Sequence, residues 1–395
     1  MHRLSGLTLI SAILVAACNQ PLQPRVNLAD PLFAATAASE YQALDLGRFL
    51  PAAINSRGDV AGVVGIGRSQ HAVVWRNGVL QDLGTLPPEF PDAPNAYFFS
   101  VVTAMNSRGQ IVGWESFFPP LEDVRAFVWD NGVLRDLNTP GGCCGGRNIA
   151  EAINEAGHVT GVTNAFGGPL HAFLWRTGTM TDLGTLGGLK SFGLDVNASD
   201  QVVGWSDYDP NSQDEHAFLW ASGAMQDLGT LEGQTESQAL KINTAGQVIG
   251  VSGSHAFFWS RGVMQDLGAA SPVAINSRGQ VVLNAGGRVL VWENGVVTPV
   301  NSSGNSYSLA TGINERGQIV GWSQSGSGPL HAVLWEQGGM TDLGALADGD
   351  QSSAVAISNT GVITGWFQSA SGAIRALLWS KSGSPNAAIV AVTTR

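Results

Sequence analysis

The chain has 395 residues, of which 44% are hydrophobic and only 13% are charged, and its formal net charge is −11 at pH 7. This balance excludes an intrinsically disordered protein, which combines low hydrophobicity with high charge. Lysine occurs three times, and so few cations exclude a nucleic-acid-binding protein, because phosphate backbones are bound through dense cationic contacts.

The first 17 residues have the anatomy of a secretory signal peptide. A basic start precedes an apolar run at residues 7–15, which is too short to span a membrane as a mature helix. Residues 15–18 resemble the lipobox of bacterial lipoproteins, in which the cysteine becomes the lipidated first residue; the alternative is an ordinary signal peptide with a chance cysteine. We therefore expect removal of residues 1–17, lipidation of Cys18, and a tether over residues 18–40, which are rich in Pro, Ala and Gln.

This resemblance also implies a location. Residue 19 is not acidic, which among lipoproteins favours the outer membrane. We expect an exported outer-membrane lipoprotein on the periplasmic or cell-surface side, which contacts the membrane through its lipid anchor only.

From residue 41 onward the chain repeats four short segments about every 43 residues. The first segment ends in Ile-Asn with Gly three residues later, and the others are Val-x-Gly-Trp, His-Ala-Phe-Leu-Trp and Asp-Leu-Gly runs. Eight copies are marked by the tryptophan of the third segment: Trp75, Trp129, Trp175, Trp220, Trp259, Trp292, Trp335 and Trp379. The segments are short, rich in Val, Ile, Phe and Trp, and bounded by Gly or Asn-Gly, which is typical of strands joined by hairpins.

Four antiparallel strands in every repeat predict an all-β fold, an eight-bladed β-propeller that forms one domain over residues 41–395. The segment Tyr41–Gly47, YQALDLG, matches a fourth segment but precedes the first copy, whereas the eighth copy lacks one. We predict that this N-terminal strand closes the ring by completing the eighth blade, since closure removes exposed sheet edges. Residues 388–394 are the competing segment.

The succession His-Ala-Phe-Leu-Trp, Thr-Gly and Asp-Leu-Gly-Thr-Leu-Gly-Gly at residues 171–188 resembles the HAF-repeat extracellular proteins of bacteria, and the likeness covers residues 41–380. The resemblance implies the repeat fold and export, but the family carries no established activity to transfer, so function stays open; we expect no cofactor. Three copies depart from it, with Arg125, Arg288 and Arg375 in place of the histidine. A catalytic role for the repeated histidine is therefore disfavoured.

The repeated polar residues are interpreted as structural. A side chain that occurs once in every repeat most simply satisfies buried polar groups of its own blade. This applies to five histidines and seven aspartates: His71, His171, His216, His255 and His331, with Asp45, Asp82, Asp136, Asp182, Asp227, Asp266 and Asp342. The eight third-segment tryptophans are predicted core, whereas Trp114 and Trp322, beside variable loops, are candidate ligand-binding residues.

The connections predict one plain face and one elaborate face. In a four-stranded blade the turns after strands one and three lie on one side, and here they are short and uniform. The connections after strands two and four vary in length, and they include residues 85–100, 115–124, 138–148, 207–215 and 346–352. Variable loops on a rigid scaffold are where binding sites concentrate, so we expect function on this second face.

Two pairs of residues depart from the repeat. Cys143 and Cys144 are flanked by four glycines and are a candidate vicinal disulfide, although adjacent Cα atoms about 3.8 Å apart fall short of the usual disulfide span. Free thiols, a metal site and pairing between chains are the alternatives. Asp195 and Lys241 replace the usual Ala or Gly before Ile-Asn, and are predicted to form either an ion pair or a ligand-orienting pair near the axis.

An acidic loop is the weakest candidate site. Asp207, Asp209 and Asp214 could bind Ca²⁺, which prefers clustered carboxylates, but a solvated loop is the simpler interpretation, and we assign no metal site. We expect a monomeric module that binds or scaffolds an extracellular protein or glycan. The alternative is a hydrolase or lyase that acts on an envelope or environmental polymer through carboxylates of the variable-loop face.

Overall fold

The computed structural model describes residues 40–86, 97–118, 124–137, 146–164, 168–211, 214–300, 306–344 and 350–382. These residues form 32 β-strands and no helix, which confirms the predicted all-β class. The described part of the chain contains no apolar helix long enough to cross a membrane. Predictions for Cys18, Cys143, Cys144 and residues 388–394 lie outside the described residues.

Four repeats in the first half of the chain give units 1 to 4, each built from four antiparallel strands, and a parallel pairing of Gln70 with Phe99 joins units 1 and 2 into one eight-stranded sheet. An additional strand, β1 (Tyr41–Gly47), precedes them. Unit 1 contains β2 (Leu50–Ile54), β3 (Val60–Ile66), β4 (Ser69–Arg76) and β5 (Val79–Asp82), and unit 2 contains β6 (Tyr97–Met105), β7 (Ile111–Phe118), β8 (Val124–Asp130) and β9 (Val133–Asp136). Unit 3 contains β10 (Asn148–Ile153), β11 (Val159–Thr163), β12 (His171–Arg176) and β13 (Thr179–Asp182), and unit 4 contains β14 (Ser191–Val196), β15 (Val202–Asp207), β16 (Glu215–Ala221) and β17 (Ala224–Gly229).

The second half of the chain repeats the pattern in units 5 to 8. Unit 5 contains β18 (Ser237–Ile242), β19 (Val248–Ser252), β20 (His255–Ser260) and β21 (Val263–Asp266), and unit 6 contains β22 (Ser271–Ile275), β23 (Val281–Ala285), β24 (Arg288–Glu293) and β25 (Val296–Pro299). Unit 7 contains β26 (Ser306–Ile313), β27 (Ile319–Ser325), β28 (Leu330–Glu336) and β29 (Gly339–Gly344), and unit 8 contains β30 (Gln351–Ile357), β31 (Ile363–Gln368) and β32 (Ile374–Lys381).

Strand β1 supplies the fourth strand of unit 8, as the sequence predicts. It lies antiparallel to β32, with Tyr41 opposite Lys381 and Leu44 opposite Leu378. Arg375 Nε donates a hydrogen bond of 2.6 Å to Asp45 Oδ2, so the Arg and Asp of one repeat meet although they are 330 residues apart in the chain. The two ends of the described chain are therefore joined within one sheet.

Apolar cores lie between consecutive units. Each of eight clusters draws on two adjacent units, and one of them joins unit 8 to unit 1 through Leu378, Ala376, Val60 and Trp75. Seven third-strand tryptophans are at most 6% exposed, and burial of an aromatic side chain stabilises by up to about 4–6 kcal/mol. The first strands of consecutive units contact one another, including β2 and β30, so they are innermost. Four-stranded antiparallel sheets packed in this way are the architecture of a β-propeller.

A bulge in every first strand explains the Val-x-Gly run. In unit 3 the register shifts between Ala150 and Ala152, and all eight first strands shift at the same repeat position. At the bulge the second strand passes so close that a Cβ on Gly161 would overlap the carbonyl oxygen of Ile149. The same close approach occurs in the other units that have glycine there, and unit 6 alone has a side chain, Leu283.

The asparagine that ends each first segment ties its own turn and the next unit together. Asn243 is 5% exposed, and its Oδ1 accepts hydrogen bonds from the backbone N–H groups of Ala245 and Gln247, both at 3.0 Å. Its Nδ2 donates to the carbonyl oxygen of Asn276 in the next unit, also at 3.0 Å. The same donation to the next unit is made by Asn106, Asn154, Asn197, Asn276 and Asn314.

The two remaining junctions use other donors. Arg57 Nη2 donates to the carbonyl oxygen of Arg108 at 2.7 Å and links unit 1 to unit 2. Thr360 Oγ1 donates to the carbonyl oxygen of Ser56 at 3.2 Å and links unit 8 to unit 1. All eight junctions are therefore hydrogen-bonded on the side of the first turns.

Replacement of Asn243 by alanine is expected to destabilise the protein strongly. It removes the acceptor for two backbone N–H groups and the donor to Asn276, and each buried polar group left unsatisfied costs about 1–3 kcal/mol. The midpoint of urea unfolding measures the loss. Asn243→Ser is the matched control, since unit 8 has Ser358 there and its Oγ accepts from Val362 N–H. A smaller loss is expected for serine, and alanine as stable as the wild type would contradict the assignment.

Candidate functional site

The two sides of the molecule differ in chemistry. Hydrogen bonds from the asparagine side chains to the next unit hold the first turns side by side, and we call this side of the molecule the turn face. The opposite side, where second strands end and first strands begin, is the loop face. There Leu186 N–H of unit 3 donates to Ser206 Oγ of unit 4 at 2.9 Å, and Leu231 N–H donates to Ser252 Oγ of unit 5 at 3.1 Å.

The repeated histidines and aspartates pair within their own units. His71 Nδ1 donates to Asp82 Oδ2 at 2.8 Å, and Asp82 Oδ1 accepts the backbone N–H of Gly84. The hydrogen bond to Asp82 raises the pKa of His71, and although burial raises the pKa of Asp82, the bonds from His71 and Gly84 lower it by more. The other four pairs are His171 with Asp182, His216 with Asp227, His255 with Asp266 and His331 with Asp342. These contacts fix the turn after each fourth strand.

Aromatic pairs lie at the loop face beside the first strands. Trp114 and Trp322 are half-buried, and the ring of Phe99 lies 5.9 Å from that of Trp114. Tyr307 stacks on Trp322 at 5.7 Å and is 52% exposed. Both predicted tryptophans are therefore partly accessible, each with one face covered by a neighbouring ring.

A second pair of aromatic contacts belongs to unit 4. Phe192 and Trp205 stack with centroids 4.2 Å apart and planes inclined by 16°. Tyr208 stacks on His216 at 4.4 Å and is 51% exposed. Unit 4 thus presents aromatic surface on both sides of its sheet at the loop face.

The structure places Asp195 and Lys241 on adjacent first strands, β14 and β18, but no ion pair joins them among the described residues. Asp195 Oδ2 instead accepts the backbone N–H of Ile242 at 3.0 Å. Glu151 lies in the bulge of β10. Burial raises its pKa and the charge of Lys241 lowers it by less, so that the pKa is about 7. Three charged groups of consecutive units therefore lie along the innermost strands.

The acidic loop carries no metal-binding cluster in the part of the chain that the structure describes. There, no group of three or more His, Cys, Asp or Glu side chains could hold a metal ion. Asp207 Oδ2 accepts the backbone N–H of Lys190 at 3.1 Å, and Asp209 Oδ1 accepts that of Asn211 at 2.8 Å. Asp209 therefore stabilises its own turn, and Asp207 joins the end of β15 to the residue that precedes β14.

Unit 2 contains a buried carboxyl group where units 4 and 5 have serine. Glu115 is 0% exposed, and its Oε2 accepts the backbone N–H of Leu86 at 3.2 Å and the hydroxyl of Ser100 at 3.4 Å. Burial raises the pKa of Glu115. The hydrogen bond from Leu86 and the charge of Arg125, opposite Glu115 on β8, lower it by less, so that the pKa is about 7. The group is therefore largely protonated in mildly acidic solution.

The Glu115→Gln variant is expected to gain stability relative to the wild type as pH rises. Because the folded pKa lies above the ordinary value of 4.5, ionisation opposes folding increasingly between pH 4.5 and pH 7, by on the order of 3 kcal/mol in total. Glutamine keeps an acceptor for Leu86 and does not ionise. Urea unfolding at pH 5 and pH 8 measures the difference, with Glu232→Gln, at an exposed carboxylate, as control. An equal difference at both pH values would contradict the assignment.

Three solved structures that the chain resembles have low sequence identity to it and TM-scores below 0.5. The β-propeller domain of the trilobed protease from Pyrococcus furiosus matches with 10% identity and a TM-score of 0.45, over 76% of this chain and 99% of that one. A puromycin-hydrolyzing peptidase of Mycobacterium tuberculosis matches with 10% identity and a TM-score of 0.49, over 86% and 51% of the two chains. A prolyl endopeptidase matches with 12% identity and a TM-score of 0.47, over 82% and 55%.

The chain thus spans about half the length of the two peptidases that it resembles. Similarity at this level carries no argument about activity. No family model matches the sequence, and no curated protein matches it.

Sequence reasoning missed three carboxylates on or below the loop face. Glu151 occupies the bulge position, where the other units have Ala, Thr, Leu or Val, and Glu115 occupies the serine position. Glu215 precedes the repeated histidine, where units 3 and 7 have leucine. An alignment of the eight copies would have found all three as charged departures, but not their contacts.

Proposed function

We propose that the eight units are the blades of a closed eight-bladed β-propeller. The support comes from the pairing of β1 with β32, the apolar cluster shared by units 8 and 1, and the hydrogen bond from Thr360 to Ser56. A closed ring leaves no unpaired blade at which to add copies, which agrees with a monomer.

We further propose that this chain is a binding or scaffolding module of the cell envelope, which takes a protein or glycan partner on its loop face. The observation that carries the proposal is the asymmetry of the two faces. The polar groups of the turn face are used to join the units, whereas the loop face carries half-exposed aromatic side chains and is the side to which the sequence assigns the variable connections. Partly exposed aromatic rings on a rigid scaffold are typical of recognition surfaces.

Anchoring belongs to the same proposal. Lipidation at Cys18 with a tether of about 20 residues would hold the propeller close to the membrane while leaving either face free. The repeated phrase supports membership of the HAF-repeat proteins, and export of this chain.

A photo-crosslinking residue placed on each face tests the binding proposal. Tyr307 is exposed on the loop face, and Ser199 is exposed in a first turn on the turn face. The full chain, displayed in its own envelope, is expected to cross-link a protein or glycan from position 307 and not from position 199. Cross-links from position 199 alone, or from neither position together with no binding to a glycan and polymer array, would contradict the proposal.

Anchoring is tested by metabolic labelling with a radioactive fatty acid. The wild-type chain is expected to incorporate label and to sediment with membranes. Cys18→Ser is expected to remain unlabelled and to enter the soluble fraction. Retention of the Cys18→Ser chain in the membrane fraction would show that another element anchors it.

A further inference from the structure

We propose that the crevice between units 4 and 5 on the loop face binds a neutral polysaccharide. The crevice consists of Phe192, Trp205, Asp207 and Glu215 of unit 4, with Gln238 of unit 5. This inference rests on the proposed function and names the ligand class of the loop face.

The four side chains of unit 4 project from the same side of its sheet. Phe192 lies directly opposite Trp205, and Asp207 lies directly opposite Glu215. Residues directly opposite one another share a face, as do residues two apart along one strand such as Trp205 and Asp207. An aromatic pair and a carboxylate pair therefore stand next to each other at the end of β15.

This side of the sheet faces unit 5. Val203, two residues before Trp205, and Ala217, directly opposite Trp205, are buried in one cluster with Ala239 and Phe257 of unit 5. Glu215 Oε2 accepts a hydrogen bond of 2.6 Å from Gln238 Nε2 of unit 5. The aromatic and acidic side chains thus lie on the side of unit 4 that faces unit 5, at the loop-face end of the apolar core between the two units.

The chemistry of these groups suits a sugar. Phe192 and Trp205 are half-buried and stacked face to face 4.2 Å apart, so each ring holds the other in place. The outer face of such a pair is a flat apolar surface, on which the C–H face of a pyranose ring packs. The carboxylates of Asp207 and Glu215 and the amide of Gln238 offer acceptors and donors for hydroxyl groups. Carbohydrate hydroxyls need both kinds of partner at one site.

The charge of the crevice selects against acidic polymers. Glu215 lies near Asp207 and Glu236, with Lys190 as the nearby cation that opposes them. Burial raises the pKa of Glu215 most, and the two neighbouring carboxylates raise it further, so the crevice already disfavours negative charge. A uronate polymer would add like charges, whereas a neutral polysaccharide adds none.

Unit 4 alone combines these residues. At the position of Trp205, units 1, 3 and 5 have Val63, Val162 and Val251, and unit 6 has Asn284. Units 2, 7 and 8 have tryptophan there, but the position of Glu215 is then occupied by valine, leucine and isoleucine. The combination of a tryptophan with a neighbouring carboxylate is therefore a departure from the repeat and not part of its construction.

Affinity electrophoresis of the full chain in gels that contain one polysaccharide tests the proposal. The neutral probes are glucomannan, xyloglucan, laminarin and dextran, and the anionic probes are alginate and polygalacturonate. At least one neutral polymer is expected to retard the wild type, and neither anionic polymer is expected to do so. Trp205→Val, which imports the residue of units 1, 3 and 5, is expected to weaken binding about tenfold through loss of the aromatic contact.

Two further variants keep the test decisive. Trp366→Val makes the same change at the same repeat position in unit 8, beside Ile374 rather than a carboxylate, and is expected to bind like the wild type. Glu215→Gln keeps the shape and is expected to weaken neutral-polymer binding and to relieve the discrimination against alginate. Thermal unfolding of each variant shows whether a loss of binding is due to misfolding. If Trp205→Val does not fold, the binding of Glu215→Gln decides whether the crevice is the polysaccharide site.

The proposal is overturned if only anionic polymers retard the chain, if Trp205→Val binds like the wild type, or if Trp366→Val loses as much binding as Trp205→Val. Its failure is distinguishable from failure of the proposed function. A protein cross-linked at position 307, with no polysaccharide bound, would overturn the polysaccharide site while the binding role of the loop face stands.

Discussion

The amide side chain of the asparagine that follows the first strand, which reaches the next unit in six of the eight units, is the interaction on which the rest of the structure depends. It does two things at once: its oxygen satisfies two backbone N–H groups of its own turn, and its nitrogen reaches the backbone carbonyl of the next unit. Because a buried backbone group must find a partner, the turn and the junction are stabilised or lost together. This coupling explains why the Ile-Asn-x-x-Gly phrase recurs with so little variation.

The two faces therefore have different roles. Side chains of the turn face are committed to joining units, and the His–Asp pairs are committed to the turns after the fourth strands. The charged departures that are functional candidates therefore lie on the loop face and on the innermost strands. The departures gather in neighbouring units: Glu115 in unit 2, Glu151 in unit 3, Asp195 and Glu215 in unit 4, and Lys241 in unit 5.

One departure is structural rather than functional. Asp200 replaces the glycine of the first turn in unit 4 and has a positive φ of 60°. Its carboxylate accepts hydrogen bonds from His158, Asn154 and Arg176 of unit 3, at 2.7 to 2.9 Å. These bonds offset the backbone strain, and all of them lie away from the loop face.

The sequence was sufficient for the fold and only partly sufficient for the site. Strands, repeats and the displaced strand β1 could be predicted because short segments rich in Val, Ile, Phe and Trp, the Gly and Asn-Gly residues that bound them, and a matching Asp-Leu-Gly phrase are local signals. The sequence identifies Asp195 and Lys241 as departures on adjacent first strands, but no local signal predicts that Asp195 Oδ2 accepts the backbone N–H of Ile242 in the next unit. The contact of Glu215 with Gln238 depends on which side of one sheet faces the next, and no local pattern encodes that.

Hydrogen exchange of the native chain, followed by mass spectrometry, tests the account most directly. Peptides that cover the first turns and β1 report on the units separately, since a turn amide exchanges only when the Asn or Ser side chain that accepts its N–H releases it, and the amides of β1 exchange only when the strand separates from β32. The account predicts that β1 and the junction of Thr360 with Ser56 exchange as slowly as the other junctions. Rapid exchange of β1 and of that junction, with the other seven protected, would show an open array of units and contradict it.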